Sequence, residues 1–172
     1  MRARLYLAGP TVFHLEARQA GDRLKEICAQ HGCEGLYPLD PALELPEDGR
    51  EAARMIYQSC LGLIGEADAV VADLGPWRGP HVDDGTAFEL GFAVARGLPI
   101  FGYTHDASPL TSRIDWTVHH SGDKRDANGH LVEDFDLPFN LMIAGALQSL
   151  HSSAEEAIAA AARALGDQPR PR

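Results

Sequence analysis

The composition of this 172-residue chain favours a single globular domain and argues against several kinds of partner. Hydrophobic residues make up 45% of the sequence, which at this length is enough for one full core. The formal net charge is −10, so we expect no basic face for a nucleic-acid polymer or for an anionic membrane.

The sequence also predicts a cytoplasmic location. Its three cysteines, Cys28, Cys33 and Cys60, form no CxxC pair and are too few and too scattered for a disulfide framework. No apolar run reaches 18 residues, and the first residues show no long apolar signal region. We therefore expect reduced thiols and no membrane partner.

The first half of the chain alternates short β-rich runs with amphipathic helical spacing. A strand over 4–8 ends in the turn Gly9-Pro10, and a helix over 16–31 follows and ends at Gly32. The next predicted elements are a brief strand, a loop rich in Pro and acidic residues, a helix and a fully apolar strand, at 35–38, 39–50, 51–65 and 69–73.

The second half continues the alternation less regularly. A Gly/Pro loop over 74–84 leads into a helix that runs to about residue 96 and looks apolar nearly all round. A fourth strand is expected over 98–103 and an irregular segment over 105–128. The remaining predictions are a short fifth strand, two helices and a flexible tail, at 131–135, 140–149, 154–165 and 167–172.

This order predicts an α/β fold in which residues 1–166 form one domain. Strands that alternate with helices build a mostly parallel sheet with helices on both faces, connected by right-handed crossovers. Four or five strands at this length indicate a flavodoxin-like doubly wound sheet. Its ligand site is expected at the carboxyl ends of the first and third strands, where the strand order reverses.

The most informative residue is Glu89, the only acidic side chain in the body of an apolar helix. A buried carboxylate is unfavourable unless it is paired or has a function. One interpretation is structural, because Thr86-x-x-Glu89 fits a capping box with Thr86 as the N-cap. The other is catalytic: a second carboxylate, Asp83, precedes it, Gly85 allows a ligand to approach the backbone, and the helix N-terminus favours an ionised nucleophile.

Several familiar ligand motifs are absent from the sequence. The turn after the first strand is not GxGxxG, and no GxxxxGK[ST] loop occurs, so dinucleotide and P-loop chemistry are not expected. His119 and His120 are adjacent and would point apart on a strand, and the other histidines show no i, i+4 pair. We therefore expect neither a metal nor a cofactor.

Three segments, in this order along the chain, resemble the nucleoside 2-deoxyribosyltransferase family: Tyr6-Leu7-Ala8-Gly9-Pro10, Asp83-Asp84-Gly85-Thr86-Ala87-Phe88-Glu89-Leu90-Gly91, and Glu133-Asp134-Phe135-x-Leu137-Pro138-x-Asn140-Leu141-Met142. The resemblance implies transfer of 2-deoxyribose between purine or pyrimidine bases by double displacement, with deoxynucleosides and free nucleobases as substrates. Glu89 occupies the position of the nucleophile that forms a covalent bond to C1′.

The same resemblance assigns roles to other residues, and each has a structural alternative. Asp83 matches a substrate-contacting Asp but could be an N-cap or an Asx-turn residue, and Asp84 is the expected spare cap. Tyr6 resembles the Tyr that holds the nucleophile but could be a core aromatic. Phe13 resembles an aromatic that packs on the base but could be an ordinary loop contact.

Further positions complete the expected site. Asn140 and Met142 match residues that enter the neighbouring subunit's site, which implies a homo-oligomer built from dimers; from the sequence alone Asn140 would be a helix N-cap. Asp134 is expected to position that segment. Gly9 in the first turn, Asp73 at the end of the third strand and Arg78 in the following loop are candidate substrate contacts, although Asp73 could cap its loop and Arg78 could be a surface residue.

Two departures from the family pattern affect base recognition. Cys60 stands where several relatives carry an Asp on the second helix, and Ala42 stands where relatives carry a base-contacting Gln. The group that protonates the leaving base is therefore open, with Asp73 and Asp83 as candidates. Two alternatives to the transferase remain: a hydrolase of deoxynucleoside 5′-monophosphates, and a non-catalytic nucleoside-binding module.

Overall fold

A computed structural model describes residues 2–166 of the chain. The tail predicted at 167–172 lies outside the described residues. A five-stranded parallel sheet carries helices on both faces, which confirms the α/β class and the doubly wound arrangement. The elements of the sheet and its helices are β1 Arg4–Ala8, α1 Ala17–Gln30, β2 Glu34–Leu36, α2 Gly49–Glu66, β3 Ala69–Asp73, α3 Asp84–Ala95, β4 Ile100–Tyr103, α4 Leu141–Ala146, β7 Ser149–His151 and α5 Ala154–Gly166.

The strand order is β2-β1-β3-β4-β7, and all neighbours are parallel. The chain moves outward from β1 to β2 and then returns to the other side of β1 with β3. The carboxyl ends of β1 and β3 therefore form the topological switch point, where a crevice for ligands opens. In this register Tyr6 lies beside Val70 and Ala8 lies beside Ala72.

The core has two layers, one on each face of the sheet. Alternate residues of β1 and β3 point to opposite faces because the side-chain period of a strand is two. Tyr6 and Val70 pack with Leu90 of α3 in one layer, while Leu7 and Val71 pack in the other with residues of α1 and α5. Tyr6 and the α3 helix thus share one side of the sheet, which brings the first and second motifs together.

The expectation for the fifth strand was wrong. The fifth strand of the sheet is β7. It begins at Ser149, the last residue of the helix predicted over 140–149, and ends two residues later. Helix α4 ends at Ala146 after only six residues. In the segment 131–135, only Leu131 forms an isolated antiparallel bridge, with Arg125. A three-residue edge strand carries too short an apolar pattern to compete with the neighbouring helical spacing.

The segment expected to be irregular contains a small hairpin. Its strands β5 (Thr117–Val118) and β6 (Lys124–Arg125) pair antiparallel. The rings of His119 and His120 lie in the turn with their centroids 3.8 Å apart, so the expectation that they point apart on a strand was wrong. No group of three or more potential metal-ligating side chains comes together within residues 2–166.

Helix α3 is not buried on most sides, contrary to the expectation from its composition. Thr86, Leu90 and Ala93 are buried against the sheet, but the side chains of Phe88 and Val94 are 52% and 50% exposed. One stripe of α3 therefore faces the core and another carries apolar residues to the surface.

Candidate active site

The Tyr6 phenol donates a hydrogen bond of 2.5 Å to Glu89 Oε1. Tyr6 is completely buried within β1, and Glu89 lies in the second turn of α3 on the same side of the sheet. The sheet therefore fixes the donor, and the helix fixes the acceptor. This contact brings together two of the three residues that the sequence assigns to catalysis, and the second carboxylate oxygen of Glu89 accepts no hydrogen bond within residues 2–166.

Burial dominates the electrostatics of Glu89. The pKa of this carboxyl group is raised to about 7: burial raises it most, the hydrogen bond from Tyr6 opposes the rise, and the charge of Asp83 adds to it. The prediction that the helix N-terminus keeps Glu89 ionised was therefore incomplete, because desolvation outweighs the helix dipole. Near neutral pH the carboxyl group is poised between its protonated and ionised forms.

Asp83, and not Thr86, is the N-cap of α3. Asp83 Oδ2 accepts hydrogen bonds from the backbone N–H of Thr86 at 2.8 Å and from its hydroxyl at 3.0 Å. The capping-box interpretation of Thr86 and Glu89 was thus wrong, since Glu89 contacts Tyr6 instead. Asp84 is the first residue of the helix and not a spare cap.

Gly85 keeps space beside the capping carboxylate. A Cβ at this position would approach Asp83 Oδ2 at 3.1 Å. Any larger residue would thus press on the carboxylate that caps α3. The structural role expected for Asp83 is present, and its Oδ1 atom makes no hydrogen bond within residues 2–166.

Cys60 of α2 forms part of the surroundings of the Tyr6–Glu89 pair. Burial raises the pKa of its thiol, the negative charge of Glu89 raises it further, and the Tyr6 hydroxyl opposes this. Cys60 therefore stays a neutral thiol at physiological pH. This partly buried thiol therefore supplies no charge beside the Tyr6–Glu89 pair.

The turn after β1 comes unusually close to the end of β3. Gly9 has a φ of +147°, and a Cβ at Gly9 would lie 2.7 Å from the Cβ of Asp73. Only glycine allows this approach of the two strand ends. Asp73 Oδ1 accepts a hydrogen bond of 3.0 Å from the Gly75 N–H, so the alternative role of capping its loop is also present. Burial raises the pKa of Asp73, although this backbone hydrogen bond opposes the rise.

Phe13 packs against Trp77, a contact that the sequence did not reveal. The ring centroids lie 5.8 Å apart with an interplanar angle of 20°, and Phe13 is still 57% exposed. The Arg78 guanidinium lies over both rings, 5.5 Å from the centroid of Phe13 and 5.2 Å from that of Trp77. Residues 77–84 line a cleft of about 240 Å³ that includes Asp83. Arg78 and Asp83 therefore face one cavity.

The third motif forms a local network around Asn140. Asn140 is the N-cap of α4: its Oδ1 accepts from the Met142 N–H at 3.0 Å, and its Nδ2 donates to Glu133 at 2.5 Å. Glu133 also accepts from the Leu141 N–H at 2.9 Å. Glu133 thus holds this segment, whereas Asp134 forms an ion pair of 2.8 Å with Lys124 on the hairpin. Met142 is 74% exposed.

Arg113 connects three segments around the site, although nothing in its sequence context indicated such a role. Its guanidinium donates to the Ser108 carbonyl at 2.9 Å, to the Pro80 carbonyl at 3.4 Å and to the Pro138 carbonyl. It also forms an ion pair of 3.2 Å with Asp106. This one side chain therefore fixes the loop before Asp83 relative to the segment before Asn140.

A family model described as nucleoside 2-deoxyribosyltransferase matches residues 5–142. The chain belongs to this family. The 2-desoxiribosyltransferase from Leishmania mexicana is 30% identical to it and superposes with a TM-score of 0.76, covering 94% of this chain and 97% of that chain. The uncharacterized protein C191.05c of Schizosaccharomyces pombe is 32% identical over 82% of this chain and 75% of its own length.

A second solved structure, with lower sequence identity, shares the fold of this chain. A 2-deoxyribosyltransferase from Bacillus psychrosaccharolyticus is 22% identical and superposes with a TM-score of 0.59, covering 90% of this chain and 89% of that chain. The resemblance drawn from the three motifs is confirmed, and the family is one of enzymes acting on nucleosides. Within residues 2–166, no helix is both long and apolar enough to cross a membrane.

Proposed function

We propose that this protein transfers 2-deoxyribose from a deoxynucleoside to a free nucleobase, with Glu89 as the nucleophile. Membership of the family supports the reaction class. The observation that carries the proposal is the partly buried hydrogen bond between Tyr6 and Glu89 Oε1, with the Asp83 carboxylate near enough to raise the pKa of Glu89. A carboxylate with one oxygen held and one oxygen free is suited to attack on an electrophilic carbon.

In the first half-reaction, the free oxygen of Glu89 forms a bond to C1′ as the bond from C1′ to the base nitrogen breaks. The electron pair of that bond goes to the base, which takes up a proton. The transition state resembles an oxocarbenium ion, which the adjacent carboxylate stabilises. A 2-deoxy sugar lacks the electron-withdrawing 2′-hydroxyl, so positive charge develops on it more readily.

In the second half-reaction, a nitrogen of the incoming base forms a bond to C1′ and loses its proton. The ester bond to Glu89 breaks, and the carboxylate is regenerated. Each displacement inverts the configuration at C1′, so the two together retain the β-anomer. Tyr6 holds the carboxylate in position through both steps.

We assign supporting roles to the residues around Glu89. The free Oδ1 of Asp83 contacts a sugar hydroxyl or moves a proton at the base, and Asp73, whose pKa is raised by burial, is the second candidate for that proton. Gly9 and Gly85 let the substrate approach the backbone. Phe13 packs on the base, and Arg78 orients it.

We further propose that two chains complete each site. Asn140 and Met142 would then reach the partner's sugar-binding pocket, with Glu133 fixing the segment that carries them and Asp134 anchoring that segment to the hairpin. An exposed Met142 at the start of α4 fits such an intermolecular contact. The cytoplasm, where free nucleobases and reduced thiols coexist, is the proposed compartment.

The test is incubation of the protein with deoxyinosine, with and without free adenine, followed by chromatography of the products. The proposal expects deoxyadenosine only when adenine is present, together with a deoxyribosyl adduct on Glu89 in mass spectra of denatured enzyme. Release of hypoxanthine from deoxyinosine 5′-monophosphate at the same rate with and without adenine would support the hydrolase instead. Binding without any turnover would leave the non-catalytic module.

A further inference from the structure

Arg78 has an unusual backbone and an unusual side-chain environment. Its φ is +52°, a left-handed conformation that is unfavourable for any residue with a Cβ. The loop around it is closed by a hydrogen bond of 2.8 Å from the Trp77 N–H to the His81 carbonyl. Strained residues of this kind cluster at ligand-binding sites, where the surrounding structure holds them in place.

The strained backbone directs the guanidinium over an aromatic surface and not toward a carboxylate. The side chain lies above Phe13 and Trp77, as described above, and it forms no hydrogen bond or ion pair with any of residues 2–166. Cation–π contact with the two rings fixes its position while its N–H donors stay free. Arg78 is thus a preorganised set of donors at the rim of the cleft that contains Asp83.

We propose that Arg78 is a specificity-determining residue that selects 6-oxopurines, the class that includes hypoxanthine and guanine. This inference rests on the proposed function. A guanidinium offers a planar fork of donors and no acceptor. The O6 and N7 atoms of a 6-oxopurine are two adjacent acceptors that match this fork, whereas adenine presents an amino donor beside N7.

The neighbours of Arg78 favour a base over a phosphate as its ligand. Phe13 is 57% exposed, so its ring offers a stacking surface for a planar heterocycle beside the guanidinium. The other charged groups that line the same cleft are the carboxyl groups of Asp83 and Asp84, which would repel a phosphate dianion. The sequence interpretation of Arg78 as an ordinary surface residue does not account for its positive φ.

The first test compares deoxyinosine and deoxyadenosine as donors, with cytosine as the acceptor, by the ratio of their kcat/KM values. The two bases differ in how easily they leave C1′, and this difference is the same in wild type and in Arg78→Ala. Dividing the wild-type ratio of kcat/KM values by the Arg78→Ala ratio therefore cancels it. We expect this quotient to favour deoxyinosine between about 5-fold and 150-fold. Arg78→Gln should shift the preference to deoxyadenosine, because a glutamine amide pairs with N6 and N7 of adenine.

Arg163→Gln is the matched control, since Arg163 is an exposed arginine on α5 and should leave the ratio unchanged. A ratio that is the same in wild type, Arg78→Ala and Arg78→Gln would overturn the inference while leaving the transferase intact. Tighter binding of deoxyinosine 5′-monophosphate than of deoxyinosine, lost in Arg78→Ala, would overturn it in favour of a phosphate contact.

A binding measurement separates this inference from the proposed function. In a Trp116→Phe background, Trp77 is the remaining tryptophan, and a stacked base should quench its fluorescence. Hypoxanthine is expected to bind at least about 5-fold more tightly than adenine, and the preference should disappear in Arg78→Ala. This result would support base selection even if no sugar transfer were detected, whereas equal affinities would refute it.

Discussion

The carboxyl group of Glu89 is buried beside one strong hydrogen-bond donor, the Tyr6 phenol. Two effects oppose each other there: burial raises the pKa of the carboxyl group, and the phenolic hydrogen bond lowers it. Burial is the larger effect, so the pKa reaches about 7. A nucleophile in this position gains reactivity from poor solvation, and the folded state loses stability when the group ionises.

Replacing Glu89 by Gln tests both consequences. Glutamine keeps an acceptor for Tyr6 but cannot form the glycosyl ester, so turnover should fall more than about 1,000-fold. The folded protein holds the carboxyl proton up to about pH 7, whereas the unfolded chain releases it near 4.5. The contribution of Glu89 to the free energy of unfolding therefore falls as the pH rises from about 4.5 to about 7.

Glu89→Gln should accordingly be more stable than wild type at pH 8, by about 1 to 3 kcal/mol in urea unfolding, and nearly equal to it at pH 4.5. Glu155→Gln, an exposed carboxylate on α5, serves as the control for the change of net charge. A destabilised Glu89→Gln at pH 8 would contradict the burial argument, and substantial residual turnover would remove Glu89 as the nucleophile.

Tyr6→Phe should move the pH dependence of the reaction. The wild-type kcat/KM is expected to rise as the pH increases through about 7, because only ionised Glu89 attacks C1′. Loss of the phenolic hydrogen bond removes the effect that lowers the Glu89 pKa, so the midpoint of the profile should shift to higher pH. A profile recorded from pH 5 to 9 checks this, with Tyr37→Phe, in the core layer on the other face of the sheet, as the control. An unchanged midpoint would mean that another group controls the rate.

At the scale of elements, the sequence predicted those that bury a long or fully apolar pattern. The predicted bounds of β3 were correct, and α1 and α5 were correct within about one residue at each end, because continuous or amphipathic apolar patterns specify them. The edge strand β7 was missed because three half-buried residues carry no period of their own. Its position depends on pairing with β4, which is a tertiary interaction.

The residues of the candidate site also divide into those that a sequence pattern indicates and those whose role depends on tertiary contacts. Glu89, Asp83 and Tyr6 were predicted because each stands in a motif beside a strand or a helix start, and the structure places Tyr6 in contact with Glu89. Trp77 and Arg113 could not, because their roles depend on contacts between loops that are distant in the sequence. Side chains on irregular segments acquire a function from three-dimensional neighbours, and no periodicity records those neighbours.

Arg113→Met tests the connection between those loops. The substitution keeps most of the side-chain volume and leaves carbonyl groups of Pro80, Ser108 and Pro138 without their donor. Loss of several hydrogen bonds from one charged group should lower the free energy of unfolding by about 2 to 4 kcal/mol. Urea unfolding measures the loss, and Arg163→Met, on the exposed surface of α5, should change stability by less than about 0.5 kcal/mol. Equal effects of the two substitutions would show that the loops are held independently of Arg113.

At the scale of the whole molecule, an apolar surface adjoins the candidate site. It consists of exposed side chains on α2, α3 and α4, namely Ile56, Tyr57, Phe88, Val94, Leu141 and Met142. The rings of Tyr57 and Phe88 contact each other with centroids 5.8 Å apart, and Phe88 directly precedes Glu89. A patch of this kind is typical of a contact with a second protein surface, and it includes Met142, which we propose to reach a partner's site.

A mixture of two inactive variants tests whether sites are shared between chains. Glu89→Gln lacks the nucleophile, and Asn140→Ser lacks the amide but keeps a residue that can cap α4. Each variant alone should be inactive. In dimers formed by refolding an equal mixture, half of the dimers carry both variants, and one of their two sites combines an intact Glu89 with an intact Asn140 from the other chain. Activity should therefore return to about a quarter of the wild-type value. If native mass spectrometry shows mixed dimers and no activity returns, Asn140 does not act across the interface.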